Sequence, residues 1–198
     1  MIEDTLLLNW SGPFVLQGPD GNLLFDSPIA SECGIYIFTV IHRDGFLIHL
    51  TGWTTRPFKK RLKEHMREYR KGTYTIFNTE SLRNGKRDEI WHGMWTKRET
   101  NTREMKALFE SRHQEINPAI ENLLSTFRIF VAPLEAERRV LARIEAAIMN
   151  ILYSSEEPFC SLPDKGMALA PRWASEQPFL VKSKAEVFLH ALPQCFEA

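Results

Sequence analysis

The sequence predicts an α+β protein, in which helices flank a small central antiparallel three-stranded sheet and extensions lie at both ends. Two apolar runs rich in β-branched and aromatic residues, 34–41 and 46–52, predict two of the strands. They are joined by a polar segment containing Asp44-Gly45, which is a strong hairpin signal. Later segments carry apolar residues at helical spacing, and a third apolar run at 127–133 predicts the remaining strand.

The chain has 198 residues, which is enough for one domain but not for a second large one. Hydrophobic residues make up 43% of the chain, so there is enough apolar surface to form a core. The apolar runs are too short to span a bilayer, and the N-terminal residues lack the basic region of a signal peptide. We therefore expect a cytoplasmic protein that does not enter membranes.

The elements before and after the central hairpin follow from local signals. Two apolar runs, 5–10 and 22–26, flank a Gly- and Pro-rich turn, which predicts that residues 1–33 form an N-terminal arm or hairpin. After the central hairpin, Pro57 suits the first position of a helix that runs to Gly72.

The middle of the chain predicts one further strand and two helical pieces. The run EIWHGMW at 89–95 predicts the strand. A helix is expected over 103–116, ending at Asn117-Pro118, and a short helical piece over 118–124.

The last third of the chain predicts the longest helix and then an irregular tail. The helix is expected over 134–153, where apolar residues recur with helical spacing at Val140, Leu141, Ile144, Ile148 and Ile151. The tail from Glu156 is rich in proline and is expected to wrap the core, with a short helix near 183–191.

Charge is unevenly distributed, although the 25 basic and 25 acidic residues give a formal net charge of zero. Residues 56–71 carry eight basic and two acidic residues, a local excess of six positive charges. Such a patch can attract a phosphate backbone, or it can be a solvated helix face. If it binds nucleic acid, the residues that make the contacts are Lys59, Lys60, Lys63, Arg67, Arg70 and Lys71.

Several residues recur in the order and spacing of a known nuclease family. They are Gly34-Ile35-Tyr36 at the head of the first hairpin strand, Leu50-Thr51-Gly52 at the end of the second, Arg61 and His65 on the basic helix, and Glu145 on the long helix. The chain resembles the GIY-YIG nuclease superfamily. The resemblance implies a nuclease core at 34–160 with an insertion at about 73–126, and leaves 161–198 as a C-terminal extension.

The resemblance also implies a function, the metal-dependent hydrolysis of phosphodiester bonds in DNA with Mg²⁺ or Mn²⁺. Tyr36 would act as a general base or relay to one, and Arg61 would hold the phosphate. His65 would orient Tyr36, transfer a proton or contact phosphate, and Glu145 would be the metal ligand. The activity would be restriction-like or repair-like, and cutting both strands would favour a homodimer.

The residues also permit structural interpretations. Arg61 and His65 are four apart and therefore share one helix face, where they could equally be a solvent-facing base and a half-buried polar residue. Glu145 lies at the margin of an apolar helical stripe, where its carboxylate could coordinate Mg²⁺ or pair with Arg139 or Arg143.

One departure from the family pattern supports a second functional class. Leu50 stands where the family has its second tyrosine, and strand alternation points the neighbouring His49 to the opposite face unless a bulge intervenes. The alternative function is therefore a catalytically weakened or inactive nucleic-acid-binding module. Trp53, Trp91 and Trp95 could stack on bases or belong to the core.

Overall fold

A computed structural model of the chain describes residues 5–18, 21–94 and 102–198. Helices and strands are both present in quantity, which confirms the predicted α+β class. The strands are β1 (Thr5–Asn9), β2 (Ser11–Val15), β3 (Asn22–Leu23), β4 (Gly34–His42), β5 (Gly45–Thr54), β6 (Ile76–Phe77), β7 (Glu89–Trp91), β8 (Arg128–Pro133), β9 (Leu180–Lys184), β10 (Phe188–Leu189) and β11 (Cys195–Glu197). The α-helices are α1 (Phe58–Arg70), α2 (Thr79–Arg83), α3 (Thr102–Ser111), α4 (His113–Thr126) and α5 (Arg138–Tyr153).

The main sheet has the strand order β10-β5-β4-β8-β2-β3 within the described chain. Its centre is the predicted antiparallel trio, with β4 paired to β5 on one side and to β8 on the other. The expectation of only three strands was wrong, because β2, β3 and β10 extend the sheet at its edges. β3 and β10 have only two residues each, too few to show a periodicity, and β2 contains Gly12 and Pro13, which are typical of turns.

Helices cover one face of the main sheet, and a helix with a second sheet covers the other. Phe38 packs on the first face with Leu62 of α1 and Leu123 of α4. On the second face Ile37 packs with Ile144 of α5. The second sheet, β1-β9-β11, lies on this face as well, and α4 belongs to the expected insertion, so the insertion forms part of the core.

The N-terminal strand pair was predicted wrongly. The first strand, β1, pairs in parallel with β9, and Thr5 lies opposite Leu180. The second apolar run contributes β3, which pairs with β2. The partner of β1 lies about 175 residues away, and no local pattern indicates it.

The short helix expected near 183–191 was also wrong. Residues 180–184 form β9 and residues 188–189 form β10, which pairs in parallel with the start of β5. The residue types of this segment do not alternate, but the burial does, as in a strand: Val181 and Leu189 are buried, whereas Lys182 and Phe188 are exposed.

Three helix and strand boundaries differ from the predictions. The helix expected to end at Asn117 instead breaks at Arg112, and Pro118 lies inside α4. Pro118 has no N–H to donate to the Gln114 carbonyl group, and both residues lie on the exposed side of α4, where solvent can reach that group. The long helix begins at Arg138, four residues later than expected, and β7 ends at Trp91, while Trp95 lies outside the described residues. Among the helices that the structure describes, none combines the length and apolarity needed to cross a membrane.

The head of β4 generates a stability prediction, because Gly34 has a φ of 140° and packs against β8. A Cβ atom at Gly34 would lie 2.4 Å from the Ala132 carbonyl oxygen. We expect Gly34→Ala to lower the free energy of unfolding by about 3 kcal/mol or more, since it adds a backbone clash to the strain of the positive φ.

Gly18→Ala is the matched control for this prediction. Gly18 also has a positive φ, 102°, but an added Cβ would meet no atom of the described residues within 4 Å, so only the backbone strain remains. We expect this variant to lose about 1 to 2 kcal/mol in urea unfolding. Equal losses for the two variants would contradict a tight contact between β4 and β8 at Gly34.

Candidate active site

A cleft with a volume of about 270 Å³ opens at the edge of the main sheet, beside the C-terminal half of β5. β10 pairs with β5 only at Gly45 and Phe46, so within the described residues no strand covers this half of β5. Among the described residues, nine ionisable side chains line the cleft: Tyr36, His49, Arg61, His65, Tyr69, Tyr74, Arg87, Glu145 and Asp164. The structure therefore brings together all four residues predicted to be catalytic.

Side chains from both faces of the sheet meet in this cleft. Tyr36 points toward the face covered by α1, whereas Glu145 belongs to α5 on the opposite face. They reach the same space because β5 is an edge strand here and because Gly52, the cross-strand neighbour of Tyr36, has no side chain. A Cβ atom at Gly52 would lie 2.4 Å from the Tyr36 hydroxyl oxygen.

The Tyr36 hydroxyl joins the sheet to α1 through two hydrogen bonds. Arg61 Nε donates to the hydroxyl oxygen at 3.1 Å, and His65 Nε2 lies 2.8 Å from the same oxygen. Arg61 and His65 are one helical turn apart, so both side chains project from the same face of α1. The buried residues Phe58, Leu62 and Met66 hold that face against the sheet.

Burial keeps the phenol of Tyr36 and the imidazole of His65 neutral. Desolvation raises the pKa of Tyr36 to about 12, although the positive charge of Arg61 and its hydrogen bond lower it. Desolvation, reinforced by Arg61, lowers the pKa of His65 to about 3. A neutral imidazole carries one proton, and the two nitrogen atoms of His65 therefore have different roles.

The environment of His65 favours the tautomer that carries its proton on Nε2. His65 Nδ1 is buried and has no hydrogen-bond partner among the described residues. Leaving an acceptor unpaired is more common in proteins than leaving an N–H unpaired, so Nδ1 is better assigned as the unprotonated nitrogen. With this assignment Tyr36 accepts hydrogen bonds from both His65 and Arg61, and its own hydroxyl proton is free to point into the cleft.

Glu145 is a half-buried carboxylic acid that forms no ion pair among the described residues. Desolvation raises its pKa to about 7, and a hydrogen bond from Trp53 and the charge of Arg61 lower it only in part. The alternative ion pairs are not formed, because Arg139 pairs with Glu176 and Arg143 donates to backbone carbonyl groups. Trp53 is half-buried beside Glu145, and Trp91 is part of the core.

The donor set fits a magnesium ion that takes most of its ligands from outside the protein. Among the described residues, no three His, Cys, Asp or Glu side chains are grouped to hold a metal ion. Mg²⁺ is commonly bound by one or two carboxylates and completes its shell with water and substrate phosphate. A buried carboxylate that is poorly compensated when ionised, such as Glu145, is stabilised by a nearby cation.

Sequence reasoning missed the second half of the cleft. A bulge in β5 interrupts the pairing with β4 between Phe38 and Thr39 and turns His49 toward the face of Tyr36, where it stacks on Phe127. Desolvation lowers the pKa of His49 to about 4, so its ring is neutral. A bulge adds one residue to a strand and shifts the polar-apolar alternation by one position. A shift of one position is too small a signal to recognise in a single sequence.

Two further cleft residues, Arg87 and Asp164, come from segments without a predicted role. Their side chains approach to 3.6 Å, and Arg87 also donates to the Pro163 carbonyl oxygen at 2.6 Å. The Asp164 backbone N–H donates to the His49 carbonyl oxygen at 2.9 Å, so the start of the C-terminal extension is fastened to the edge of β5. These are contacts between remote segments, which sequence spacing does not reveal.

The residues predicted to bind nucleic acid lie on the outer surface of α1 or at its C-terminal end and not in the cleft. All six residues predicted to bind nucleic acid are exposed: Lys59, Lys60, Lys63, Arg67, Arg70 and Lys71. Arg70 makes a bidentate contact with Glu121, and Lys71 lies 3.4 Å from Glu68, so these two charges are partly offset. Among the described residues, Lys59, Lys60 and Lys63 form no ion pair.

The chain was compared with protein-family models, with curated proteins and with solved structures, and none of them matches.

The raised pKa of Glu145 predicts how stability depends on pH. A folded-state pKa of about 7, above the ordinary 4.5, means that the folded protein binds this proton more tightly than the unfolded chain does. The carboxyl group therefore costs stability as the pH rises from about 4.5 to 7. In metal-free buffer at pH 8 we expect Glu145→Gln to be more stable than the native protein by about 1 to 3 kcal/mol.

This difference should disappear near pH 4.5, and urea unfolding across the pH range measures it. Glu135→Gln is the control, since Glu135 is exposed and its replacement should not alter the pH dependence. If Glu145→Gln were less stable than the native protein at pH 8, the carboxylate would have a basic partner, contrary to the structure.

Proposed function

We propose that the protein is a metal-dependent endonuclease that hydrolyses phosphodiester bonds in DNA. Support comes from one observation in particular: the Tyr36 hydroxyl lies between Arg61 and His65 in a cleft shared with the half-buried carboxylate of Glu145. Phenol, guanidinium and carboxylate are the groups that can supply a base, a phosphate ligand and a cation ligand for this chemistry. They are also the residues in which the sequence resembles the GIY-YIG superfamily.

In the proposed reaction Tyr36 acts as the general base. Its phenolate would accept hydrogen bonds from Arg61 Nε and from His65 Nε2, and it would take a proton from the attacking water. The water oxygen forms a bond to phosphorus, one P–O ester bond breaks, and the leaving oxygen takes a proton from solvent. A Mg²⁺ or Mn²⁺ ion held by Glu145 would act as a Lewis acid on the phosphate and lower the pKa of the Tyr36 phenol.

Arg61 has donors left for the substrate. Its Nε is occupied by Tyr36, and Nη1 lies 3.8 Å from Glu64, so the terminal nitrogens can still turn toward a phosphate in the cleft. Its side chain is 34% exposed, which lets a ligand reach the guanidinium. A guanidinium that is already held in place by Tyr36 loses little freedom when the phosphate binds.

The proposal is tested by incubating the protein with supercoiled, linear and branched DNA in Mg²⁺ or Mn²⁺. Glu145→Gln retains the shape of the side chain but removes the charge, and we expect cleavage to fall at least about 100-fold because the metal contributes several kcal/mol. Tyr36→Phe should have a similar effect, because it removes the base and leaves the ring in place.

Glu135→Gln serves as the control for preparation and folding, because it makes the same chemical change at an exposed site outside the cleft. Full cleavage by a stably folded Glu145→Gln variant would overturn the assignment of the metal ligand. Restriction-like and repair-like activities differ in whether linear or branched DNA is cut. A homodimer would supply the two sites needed to cut both strands, and a cytoplasmic location belongs to the same proposal.

One observation favours a second function, a nucleic-acid-binding module without catalysis. Leu50 occupies the position of the family's second tyrosine, and the pKa of Tyr36, raised to about 12, leaves very little phenolate at neutral pH unless a cation lowers it. A module of this kind would bind DNA with the basic helix and cleave it under none of the conditions above.

Both functions predict that the exposed face of α1 binds the phosphate backbone. Replacing Lys59, Lys63 and Arg67 with glutamine should reduce the slope of log K against log salt concentration by about 0.9 for each phosphate group that the variant no longer binds. Replacing Lys182 and Lys184, exposed lysines of β9 in the second sheet, should leave the slope unchanged. An unchanged slope for the α1 variant would mean that DNA binds elsewhere.

A further inference from the structure

Tyr74 is the accessible tyrosine of the cleft. Tyr36 and Tyr69 are 1% and 2% exposed, whereas Tyr74 is only half-buried and lines the cleft directly. Its ring packs against the imidazole of His65, with the ring centroids 5.6 Å apart, and against the ring of Tyr69 at 5.1 Å. The phenol therefore stands beside the proposed catalytic groups and at the entrance to them.

The backbone holds Tyr74 in a fixed position. The preceding residue, Thr73, bonds to Glu68 through both its backbone N–H and its hydroxyl group, at 3.0 and 2.9 Å. On the other side Gly93 packs so closely on residues 73–75 that a Cβ atom there would lie 2.6 to 2.7 Å from their backbone. Gly93 N–H also donates to the Thr75 hydroxyl. A side chain clamped at both neighbours is suited to orienting a ligand.

The Tyr74 hydroxyl makes no hydrogen bond with the described residues, so it is available to a ligand. The Tyr36 hydroxyl is occupied by Arg61 and His65, and the Tyr153 hydroxyl donates to the Asp164 carbonyl oxygen. Tyr74 is also close enough to Arg61 for the guanidinium to act on its pKa, which burial raises and Arg61 lowers. A phosphate drawn to Arg61 would thus lie near a free O–H donor.

We infer that Tyr74 is a substrate-binding residue of this cleft, whose hydroxyl donates a hydrogen bond to a phosphate oxygen held by Arg61. This role rests on the proposed function for the identity of the ligand as a phosphodiester. The neutral Tyr74 hydroxyl would then donate beside the positively charged guanidinium of Arg61. Its hydrogen bond strengthens as negative charge accumulates on the phosphate oxygens during hydrolysis.

The first test is Tyr74→Phe, which keeps the ring packed against His65 and removes only the hydroxyl. Loss of one hydrogen bond to a charged oxygen should lower kcat/KM for DNA cleavage about 10- to 100-fold, with the melting temperature unchanged. Glu135→Gln is the control, because it changes an exposed side chain that does not line the cleft. We expect it to leave kcat/KM unchanged.

The second test does not depend on activity. The chain has four tyrosines, so ¹³Cζ-labelled tyrosine gives four NMR signals that single Tyr→Phe variants assign. Titration with inorganic phosphate, without metal, should shift the Tyr74 signal in a saturable way and leave that of Tyr153 in place. Arg61→Gln should weaken the response, because the guanidinium is the main attraction for the anion.

The outcomes separate this inference from the proposed function. If the native protein cleaves DNA and Tyr74→Phe cleaves equally well, the role of Tyr74 is overturned and the nuclease function stands. If the native protein cleaves no DNA, the nuclease function fails, and the phosphate titration alone decides the role of Tyr74. A Tyr74 signal that does not respond to phosphate would overturn the inference in either case.

Discussion

The packing of the Tyr36 ring over Gly52 positions the rest of the site. The two residues lie opposite each other in the β4-β5 pair, and the hydroxyl occupies the space that any side chain at position 52 would need. From this position the hydroxyl meets Arg61 and His65, so it fixes the rotation of α1 on the sheet as well as the geometry of the cleft. Burying a tyrosine oxygen would be costly without these two partners.

The electrostatics of the cleft follow from the same arrangement. The ionised form of Glu145 is buried near only one guanidinium, and Arg61 already shares its charge with Tyr36 and Glu64. The folded protein therefore retains a carboxylic acid that ionises near neutral pH instead of near pH 4.5. Sites that keep such an incompletely compensated group give up some stability, and a cation recovers it when it binds.

Local features of the fold could be predicted from the sequence, and contacts between distant segments could not. The Asp44-Gly45 turn and its flanking runs predicted the β4-β5 hairpin, and helical spacing predicted α1 and most of α5. The pairing of β1 with β9 and the docking of Asp164 on His49 join segments more than 100 residues apart, which no local pattern encodes. The same limit applied to the cleft. The shared helix face of Arg61 and His65 was predictable from their spacing, whereas the position of His49 depends on a bulge that the sequence does not locate.

The site exists because the main sheet is left incomplete at one edge. β10 pairs with two residues of β5 and ends there. Beyond that point Tyr36 and Glu145, which come from opposite faces of the sheet, line one cleft. An uncovered strand edge ordinarily invites pairing with another chain. Here the edge is protected in part by the Asp164 N–H, which bonds to the His49 carbonyl oxygen, and by the bulge at His49, which breaks the regular ladder. A longer β10 would satisfy more of the backbone and would close the cleft, so the short strand is the structural condition for a site on this fold.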